Sequence, residues 1–235
     1  MVGNYNFQGK LSVIMPVYNE VGTVSEIVRK VEAVELEKEI IIVDDGSTDG
    51  TRDVLAQLPY DNVKKLYHEK NRGKGAAIRT AIPHVTGDVV VFQDADLEYD
   101  PKEYLDLIQP IADGFADAVF GSRLSGGRPQ RVFMFWHLIG NRFLNLLTNI
   151  LFNTTLSDME TCYKMIRSGI LRDIPLRSNT FNIEPEITAK LLKRKLRIYE
   201  MPISYYGRTY GEGKKISWKH GIGAMWSLFR YRIFD

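Results

Sequence analysis

The segment "VVVFQDADLEYD", which runs from Val89 to Asp100, begins as a run of Val and Phe and ends in four acidic residues. A continuous apolar run followed by polar residues is typical of a strand that is buried on both faces. Carboxylates crowded just past such a strand repel one another, and each resists ionisation unless a positive charge lies among them. The segment therefore predicts a buried strand that ends at a cation site.

The chain on either side of this segment alternates strand and helix patterns. "KLSVIMPVYNE" and "KEIIIVDDGSTDGT" are apolar runs stopped by polar residues, whereas "GTVSEIVRKVEAVE" and "NRGKGAAIRTAI" have the spacing or the glycine-led start of helices. Such alternation predicts an α/β fold in which helices flank a mostly parallel sheet. The second half contains two long apolar and aromatic segments, residues 132–152 and 216–234, which predict amphipathic helices.

Composition limits the classes of protein that the chain could be. With 235 residues, of which 44% are hydrophobic, the chain can form one sizeable core, and we expect a single domain. The net charge of +2 gives no general signal for nucleic acid, and the single cysteine, Cys162, excludes an intramolecular disulfide. The first residues have no apolar signal region, and no run approaches the length of a membrane span, so we expect a cytoplasmic protein, soluble or peripheral to a membrane.

The D-x-D spacing of Asp94 and Asp96 indicates the kind of cation. In an extended segment both carboxylates, with Glu98 nearby, would face one ion, and oxygen ligands without a neighbouring His favour Mg²⁺ or Mn²⁺. A solvated acidic turn is one alternative. The D-x-D nucleophile of an aspartate-dependent phosphatase is another, although it leaves Asp44 and Asp45 without a use.

A second acidic motif, "VDDGSTDGT", contains Asp44 and Asp45 at the predicted end of another strand. Carboxylates in this position can accept hydrogen bonds from a ribose hydroxyl or a base. A calcium loop of the EF-hand type is a competing interpretation, but the long acidic residue that should end such a loop is absent. Because ligands of parallel sheets bind beyond the carboxyl ends of the strands, we expect both acidic motifs to meet in one cleft.

Seven segments, taken in chain order, resemble the motifs of one known family. They are "SVIMPVYNE", "EIIIVDDGSTDGT", "NRGKGAAIRTAI", "VVVFQDADLEYDP", "GSR", "SDMETCYKM" and "RTYGEGKKISWKHG". Together they resemble the inverting family 2 glycosyltransferases of GT-A (Rossmann-like) fold, and in particular the dolichyl- or polyprenyl-phosphate mannose and glucose synthases. The resemblance covers nearly the whole chain, and the ordered set is far more specific than any one segment.

The resemblance implies roles for individual residues. Those that would bind the nucleotide sugar are Pro16, Tyr18, Glu20, Asp44, Asp45, Lys74, Asp94 and Lys214. Those at metal-ligand positions are Asp94, Asp96 and Glu98. Those placed in the catalytic centre are Asp96, Arg123, Asp158 and Arg208. The arginines suit such a role because a guanidinium binds phosphate through two hydrogen bonds and stays charged.

The acceptor decides whether a catalytic base is needed. A phosphate monoester is largely a dianion at neutral pH and needs none, whereas a hydroxyl acceptor requires one. Asp158 lies where the resemblance places the base of hydroxyl-directed relatives. It would act either as that base or as a residue that orients basic side chains around an acceptor phosphate, and both alternatives stay open. Nearby arginines favour a phosphate, and we expect Arg123 and Arg131 to contact it. The aromatic and basic helices would then meet a lipid at the membrane surface, although core helices have similar composition.

The sequence thus predicts metal-dependent transfer of a hexose from a nucleotide diphosphate sugar, UDP-glucose or GDP-mannose, to polyprenyl phosphate at the cytoplasmic membrane face. Residues 1–125 would bind the donor and residues 126–235 the acceptor. Four alternatives remain: a hydroxyl acceptor, a phosphatase, a non-catalytic nucleotide-sugar-binding protein and a membrane-surface interaction protein. No role is expected for His68, and Cys162 is expected to be a small core residue.

Overall fold

A computed structural model describes residues 7–132, 134–212 and 218–234. In these residues the chain forms one seven-stranded sheet with the strand order β3-β2-β1-β4-β6-β5-β7. The strands are β1 (Leu11–Val17), β2 (Lys38–Asp44), β3 (Val63–Tyr67), β4 (Val89–Phe92), β5 (Ala118–Ser122), β6 (Lys164–Arg167) and β7 (Ile198–Pro202). The predicted α/β fold with a mostly parallel sheet is confirmed.

One strand runs against the others. Strand β6 pairs in antiparallel fashion with both β4 and β5, while β1 to β4 are mutually parallel and β7 is parallel to β5. Strand β6 contains the four residues "KMIR", whose short mixed pattern did not predict a strand. A run of four residues carries too little periodicity to predict a strand, and β6 is identified only by its pairing with β4 and β5.

Eight helices of the described residues pack around the sheet. They are α1 (Val24–Glu32), α2 (Thr51–Ala56), α3 (Lys74–Ala81), α4 (Tyr104–Ala112), α5 (Phe135–Phe152), α6 (Ser168–Arg172), α7 (Ile183–Lys193) and α8 (Trp218–Ile233). Helix α1 shows why they form. Its residues Val24, Ile27, Val28 and Val31 recur at helical spacing, and all four are buried against the sheet.

Helices α5 and α8 pack on each other and form a small separate core that includes Leu144 and Leu228. Their outer faces are apolar and exposed: Trp136 is 79% exposed and Trp226 is 66% exposed. Helix α5 begins at Phe135 and not at residue 132 as predicted, because Met134 adopts a left-handed backbone conformation that interrupts a helix. Val132 is fully exposed. No helix within the described residues combines the length and the hydropathy needed to cross a bilayer.

The acidic motifs meet at one edge of the sheet because their strands are parallel neighbours. Val17 of β1 lies beside Asp44 of β2, and β1 pairs with β4 on its other side. The loop that follows β3 also packs against the second acidic motif. Gly46 allows this, since its φ is +76° and an added Cβ would lie only 2.5 Å from the carbonyl carbon of Lys70.

Candidate active site

A cleft of about 1240 Å³ opens at the carboxyl ends of β1, β2 and β4 and continues between α5 and α8. Ten residues that sequence analysis selected line it. They are Pro16, Tyr18, Glu20, Asp45, Lys74, Asp94, Asp96, Glu98, Arg123 and Arg131. The prediction that both acidic motifs converge on one cleft is therefore met by both carboxylates of the D-x-D motif and by Asp45 of the second motif.

Three further selected residues lie behind or beside the cleft, and one is outside the described residues. Asp44 and Asp158 are fully buried, and Arg208 reaches the cleft by contacting residues of its wall. Lys214 belongs to residues 213–217, which the structure does not describe. Its predicted role at the nucleotide stays a prediction.

Asp44 does not match its predicted role at the nucleotide. Its carboxylate is completely buried and accepts a hydrogen bond from Nε of Arg52 at 2.6 Å. The backbone N–H of Ser47 also points at both of its oxygens, at 3.3 and 3.4 Å. These contacts hold the turn after β2, so Asp44 supports the loop rather than facing a ligand in the cleft.

Asp45 lines the cleft and is held by groups from two other segments. Its Oδ1 accepts hydrogen bonds from Nδ1 of His68 at 2.6 Å and from the backbone N–H of Arg72 at 2.9 Å, and its Oδ2 accepts one from Gly73 N–H at 2.7 Å. The second ring nitrogen of His68 lies 2.9 Å from the hydroxyl of Thr80. The expectation that His68 has no role was wrong: it fixes the orientation of Asp45.

Lys74 is committed to buried carboxylates. Its Nζ lies 2.7 Å from Asp94 Oδ1 and 3.0 Å from Glu184 Oε1, and Glu184 in turn pairs with Lys164 at 2.6 Å. Burial disfavours the charged form of Lys74, but the neighbouring carboxylates outweigh it and hold the pKa of Lys74 well above its usual value. Lys74 therefore positions Asp94 at the cleft through a network that the sequence did not reveal, and its predicted role at the nucleotide sugar stays a prediction.

Asp96 lies in the environment that the crowding of acids predicted. Burial raises its pKa to about 7, and repulsion from Asp94 and Glu98 adds to the effect. A divalent cation would relieve this repulsion. Asp96 lies in a turn, followed by Leu97 in a left-handed conformation, so the D-x-D segment is not extended as expected.

Asp94 and Asp96 fit a divalent cation, whereas Glu98 is held by other groups of the chain. Both oxygens of Glu98 are already engaged: Oε2 accepts from the Tyr205 hydroxyl at 2.7 Å and Oε1 from Arg208 N–H at 2.6 Å. Accordingly, the described parts of the chain hold no group of three or more His, Cys, Asp or Glu side chains arranged for a metal. That Glu98 supplies a third ligand stays a prediction. Asp94 and Asp96 suit Mg²⁺ or Mn²⁺, which take other ligands from water and phosphate oxygens.

Asp158 forms a closed ion pair with Arg123. Its Oδ2 accepts from the backbone N–H and from Nε of Arg123 at 2.9 and 2.7 Å, and its Oδ1 accepts from NH2 at 2.7 Å. Asp158 is 0% exposed, so it does not reach an acceptor hydroxyl. This geometry favours the orienting role of Asp158 over that of a catalytic base. Arg123, which lines the cleft, is fixed by it.

Arg208 joins the two acidic walls of the cleft. Its guanidinium lies 3.2 Å from Glu20 and donates to the backbone carbonyl of Asp96. Arg131, by contrast, lies at the rim, where it pairs with Glu212 at 2.8 Å and donates to Gly207 C=O at 3.0 Å. Both arginines are thus close enough to the cleft to exchange these partners for phosphate oxygens.

Comparison with known proteins identifies the family that has this architecture. The sequence model of the family described as "Glycosyl transferase family 2" matches residues 12–175. The chain belongs to this family. The matched residues include both acidic motifs, Arg123 and the buried Asp158, so the resemblance noted from the sequence is confirmed.

Two curated relatives share most of the chain. Glycosyltransferase AglJ of Haloferax volcanii is 28% identical over 200 residues, which are 85% of this chain and 64% of that protein. Undecaprenyl-phosphate 4-deoxy-4-formamido-L-arabinose transferase of Edwardsiella ictaluri is 27% identical over 211 residues, which are 87% of this chain and 62% of that protein. The chain thus spans less than two thirds of the length of these relatives.

Solved structures share the fold. Glucosyl-3-phosphoglycerate synthase from Mycobacterium tuberculosis, in complex with Mn²⁺, UDP and phosphoglyceric acid, superposes with a TM-score of 0.74 at 17% identity, over 97% of this chain and 80% of that one. A complex of the same enzyme with Mn²⁺, UDP-glucose and phosphoglyceric acid gives a TM-score of 0.72 at 18% identity, over 96% and 80%. This similarity confirms the GT-A fold and nothing finer.

Proposed function

We propose that the protein transfers a hexose from a nucleotide diphosphate sugar to the phosphate of a polyprenyl phosphate, with a divalent metal and at a membrane surface. The observation that carries the proposal is the continuity of the cleft. One opening joins the D-x-D carboxylates Asp94 and Asp96 to the arginine Arg123 and then to the apolar walls of α5 and α8. A charged donor and a lipid acceptor would enter from opposite ends.

The donor end is built for a nucleotide diphosphate. Asp94 and Asp96 would hold Mg²⁺ or Mn²⁺, and the bound ion supplies positive charge for the departing diphosphate. Arg208 would exchange its contact with Glu20 for a phosphate oxygen and stabilise the same developing charge. The fold neighbour that contains Mn²⁺ and UDP supports this assignment. Asp45, held by His68, would take the ribose or base, either uracil or guanine.

The acceptor end favours a phosphate. Asp158 cannot accept a proton from a hydroxyl without breaking its pair with Arg123, and a phosphate dianion needs no base. Arg123 and Arg131 would neutralise the incoming dianion. The name of the Edwardsiella relative, an undecaprenyl-phosphate transferase, supports a polyprenyl acceptor.

Helices α5 and α8 would provide the contact with the bilayer. Their sequences contain no Asp or Glu, while Arg142, Arg230 and Arg232 lie among exposed aromatic side chains. Aromatic and basic residues on one surface are typical of helices that lie in the membrane interface. On this proposal residues 1–125 serve the donor, residues 126–235 serve the acceptor, and the enzyme works at the cytoplasmic face.

The proposal is tested with purified protein, Mn²⁺, a short polyprenyl phosphate and either UDP-glucose or GDP-mannose. Mass spectrometry should detect a sugar-linked polyprenyl phosphate from one donor, and the product should disappear with EDTA and in Asp96→Ala. Asp61→Ala, which removes an exposed acid outside the cleft, is the matched control and should form product normally. Absence of product with both donors, or product that survives EDTA, would contradict the proposal; phosphate release from a small ester would indicate a phosphatase.

A further inference from the structure

Glu160 is a carboxylate of the cleft with no role in the proposed binding of metal, nucleotide or acceptor phosphate. It lines the cleft beside Cys162 and Glu184, and it lies in the electrostatic field of two closed ion pairs. One of them is Arg123–Asp158, and the other is Lys164–Glu184. Glu160 therefore lies between the arginine of the acceptor end and the Lys–Glu network that leads to Asp94.

Within the part of the chain that the structure describes, one oxygen of Glu160 lacks a hydrogen-bond partner. Its Oε1 is buried and accepts no hydrogen bond from residues 7–132, 134–212 or 218–234. Both oxygens of Asp158 accept hydrogen bonds from Arg123. Glu184 accepts one from Lys164 through Oε2, and its Oε1, which forms no hydrogen bond with the described residues, lies 3.0 Å from the charged Nζ of Lys74. A buried polar atom without a partner is costly, so the position suggests that a ligand supplies one.

The surroundings of Glu160 indicate which ligand group would fit. Burial is the main reason that the pKa of Glu160 is raised to about 7; Glu184 and Asp158 act in the same direction, and Lys164 and Arg123 act against it. The carboxyl group is therefore present in both neutral and ionised forms near neutral pH. A phosphate would be repelled by the ionised form. A sugar hydroxyl donates to the ionised form and exchanges hydrogen bonds with the neutral form, so it suits both.

We propose that Glu160 hydrogen-bonds a hydroxyl group of the transferred sugar and is a specificity-determining residue of the donor site. The role follows from its place: the sugar of a donor whose diphosphate lies at Asp94 and Asp96 extends into the cleft towards the acceptor end, where Glu160 and Arg123 lie. The inference rests on the proposed function and adds the residue that recognises the sugar itself.

Isothermal titration calorimetry separates sugar recognition from nucleotide recognition. The wild-type protein, Glu160→Ala and Glu160→Gln are titrated with UDP, GDP, UDP-glucose and GDP-mannose in the presence of Mn²⁺. Glu160→Ala should weaken binding of the nucleotide sugar about tenfold or more, as expected for loss of a buried hydrogen bond, while the affinity for the matching nucleotide stays within about twofold. Glu160→Gln, which can still donate and accept, should recover most of the lost affinity.

Glu103 provides a matched control. It is a second buried glutamate with a raised pKa and an Oε2 that accepts no hydrogen bond from the described residues, but it does not line the cleft. Glu103→Gln should leave both sugar and nucleotide binding unchanged. Should Glu160→Ala fail to fold, Glu160→Leu fills similar volume without a polar group and should show the same selective loss.

Three results would overturn the inference. Equal losses of nucleotide and nucleotide-sugar affinity would mean that Glu160 supports the site as a whole, and unchanged affinities would mean that it does not touch the sugar. A Glu160→Gln protein that binds donor normally but loses turnover would identify Glu160 as a base for a hydroxyl acceptor. A wild-type protein that binds neither nucleotide sugar would instead contradict the proposed function, a failure that is distinguishable from the other three.

Discussion

Replacing Asp158 with alanine tests whether this residue acts through Arg123. The change removes three hydrogen bonds, two to the guanidinium at 2.7 Å and one to the backbone N–H at 2.9 Å. It also leaves the guanidinium, whose side chain is only 12% exposed, without its counter-charge. Removing one partner of a buried ion pair typically costs about 3–5 kcal/mol, so we expect a decrease of that size in the free energy of unfolding.

The chain contains a matched surface pair. Arg197 binds Asp117 through the same three donors, its backbone N–H, Nε and NH2, but its side chain is 56% exposed. Asp117→Ala should therefore cost far less, because water replaces the lost hydrogen bonds. The two ion pairs use the same donors and differ in burial, so the free energies of unfolding of the two variants in urea measure the effect of burial.

A double-mutant cycle completes the test. Arg123→Met removes the charge that Asp158→Ala leaves unpaired, so the double variant should be more stable than the sum of the single changes predicts, by about 2 kcal/mol or more. A cost below about 1 kcal/mol for Asp158→Ala, or strict additivity in the cycle, would refute the view that a buried ion pair holds Arg123 in place.

Four further predictions concern the site and the surface. Arg208→Gln should lower kcat about 100-fold while donor affinity changes little, as steady-state kinetics would show, because the lost charge acts on the leaving group. Asp96→Ala should abolish the Mn²⁺ dependence of donor binding in calorimetry. Burial raises the pKa of Glu160 to about 7, so as the pH rises from 4.5 to about 7 this group ionises in the unfolded chain before it ionises in the folded one, and the wild-type fold loses stability. Glu160→Gln does not ionise and should therefore become more stable than wild type over this interval, by at most about 3 kcal/mol in urea unfolding. Above about pH 7 the difference in the free energy of unfolding should stay constant. Combining Trp136→Ser with Trp226→Ser should reduce co-sedimentation with anionic vesicles without lowering the unfolding midpoint, since both side chains are exposed.

The parts of the account that the sequence could predict are those encoded in short, regular patterns. The apolar run before Asp94 identifies a buried strand, and parallel strands bring their polar ends to one edge of the sheet. The spacing of Val24, Ile27, Val28 and Val31 likewise predicts helix α1 and its buried face. In each case the physical cause acts over a few neighbouring residues, which is why a single sequence reveals it.

The parts that it could not predict depend on pairs that are distant along the chain. Asp158 and Arg123 are 35 positions apart, and His68 and Asp45 are 23 apart. Nothing in either local pattern says which acid faces a partner and which faces the cleft. The same reasoning applies to Glu98, whose oxygens are taken by Arg208 and by Tyr205, more than 100 positions away.

The central claim is that the acceptor is a phosphate and needs no base. The most direct measurement offers the enzyme, with Mn²⁺ and its donor, either a polyprenyl phosphate or the polyprenol of the same length, and records the products by mass spectrometry. We expect a sugar-linked product from the polyprenyl phosphate and none from the polyprenol. Glu160→Gln should still form the product from the polyprenyl phosphate. Transfer of the sugar to the polyprenol hydroxyl would contradict the central claim.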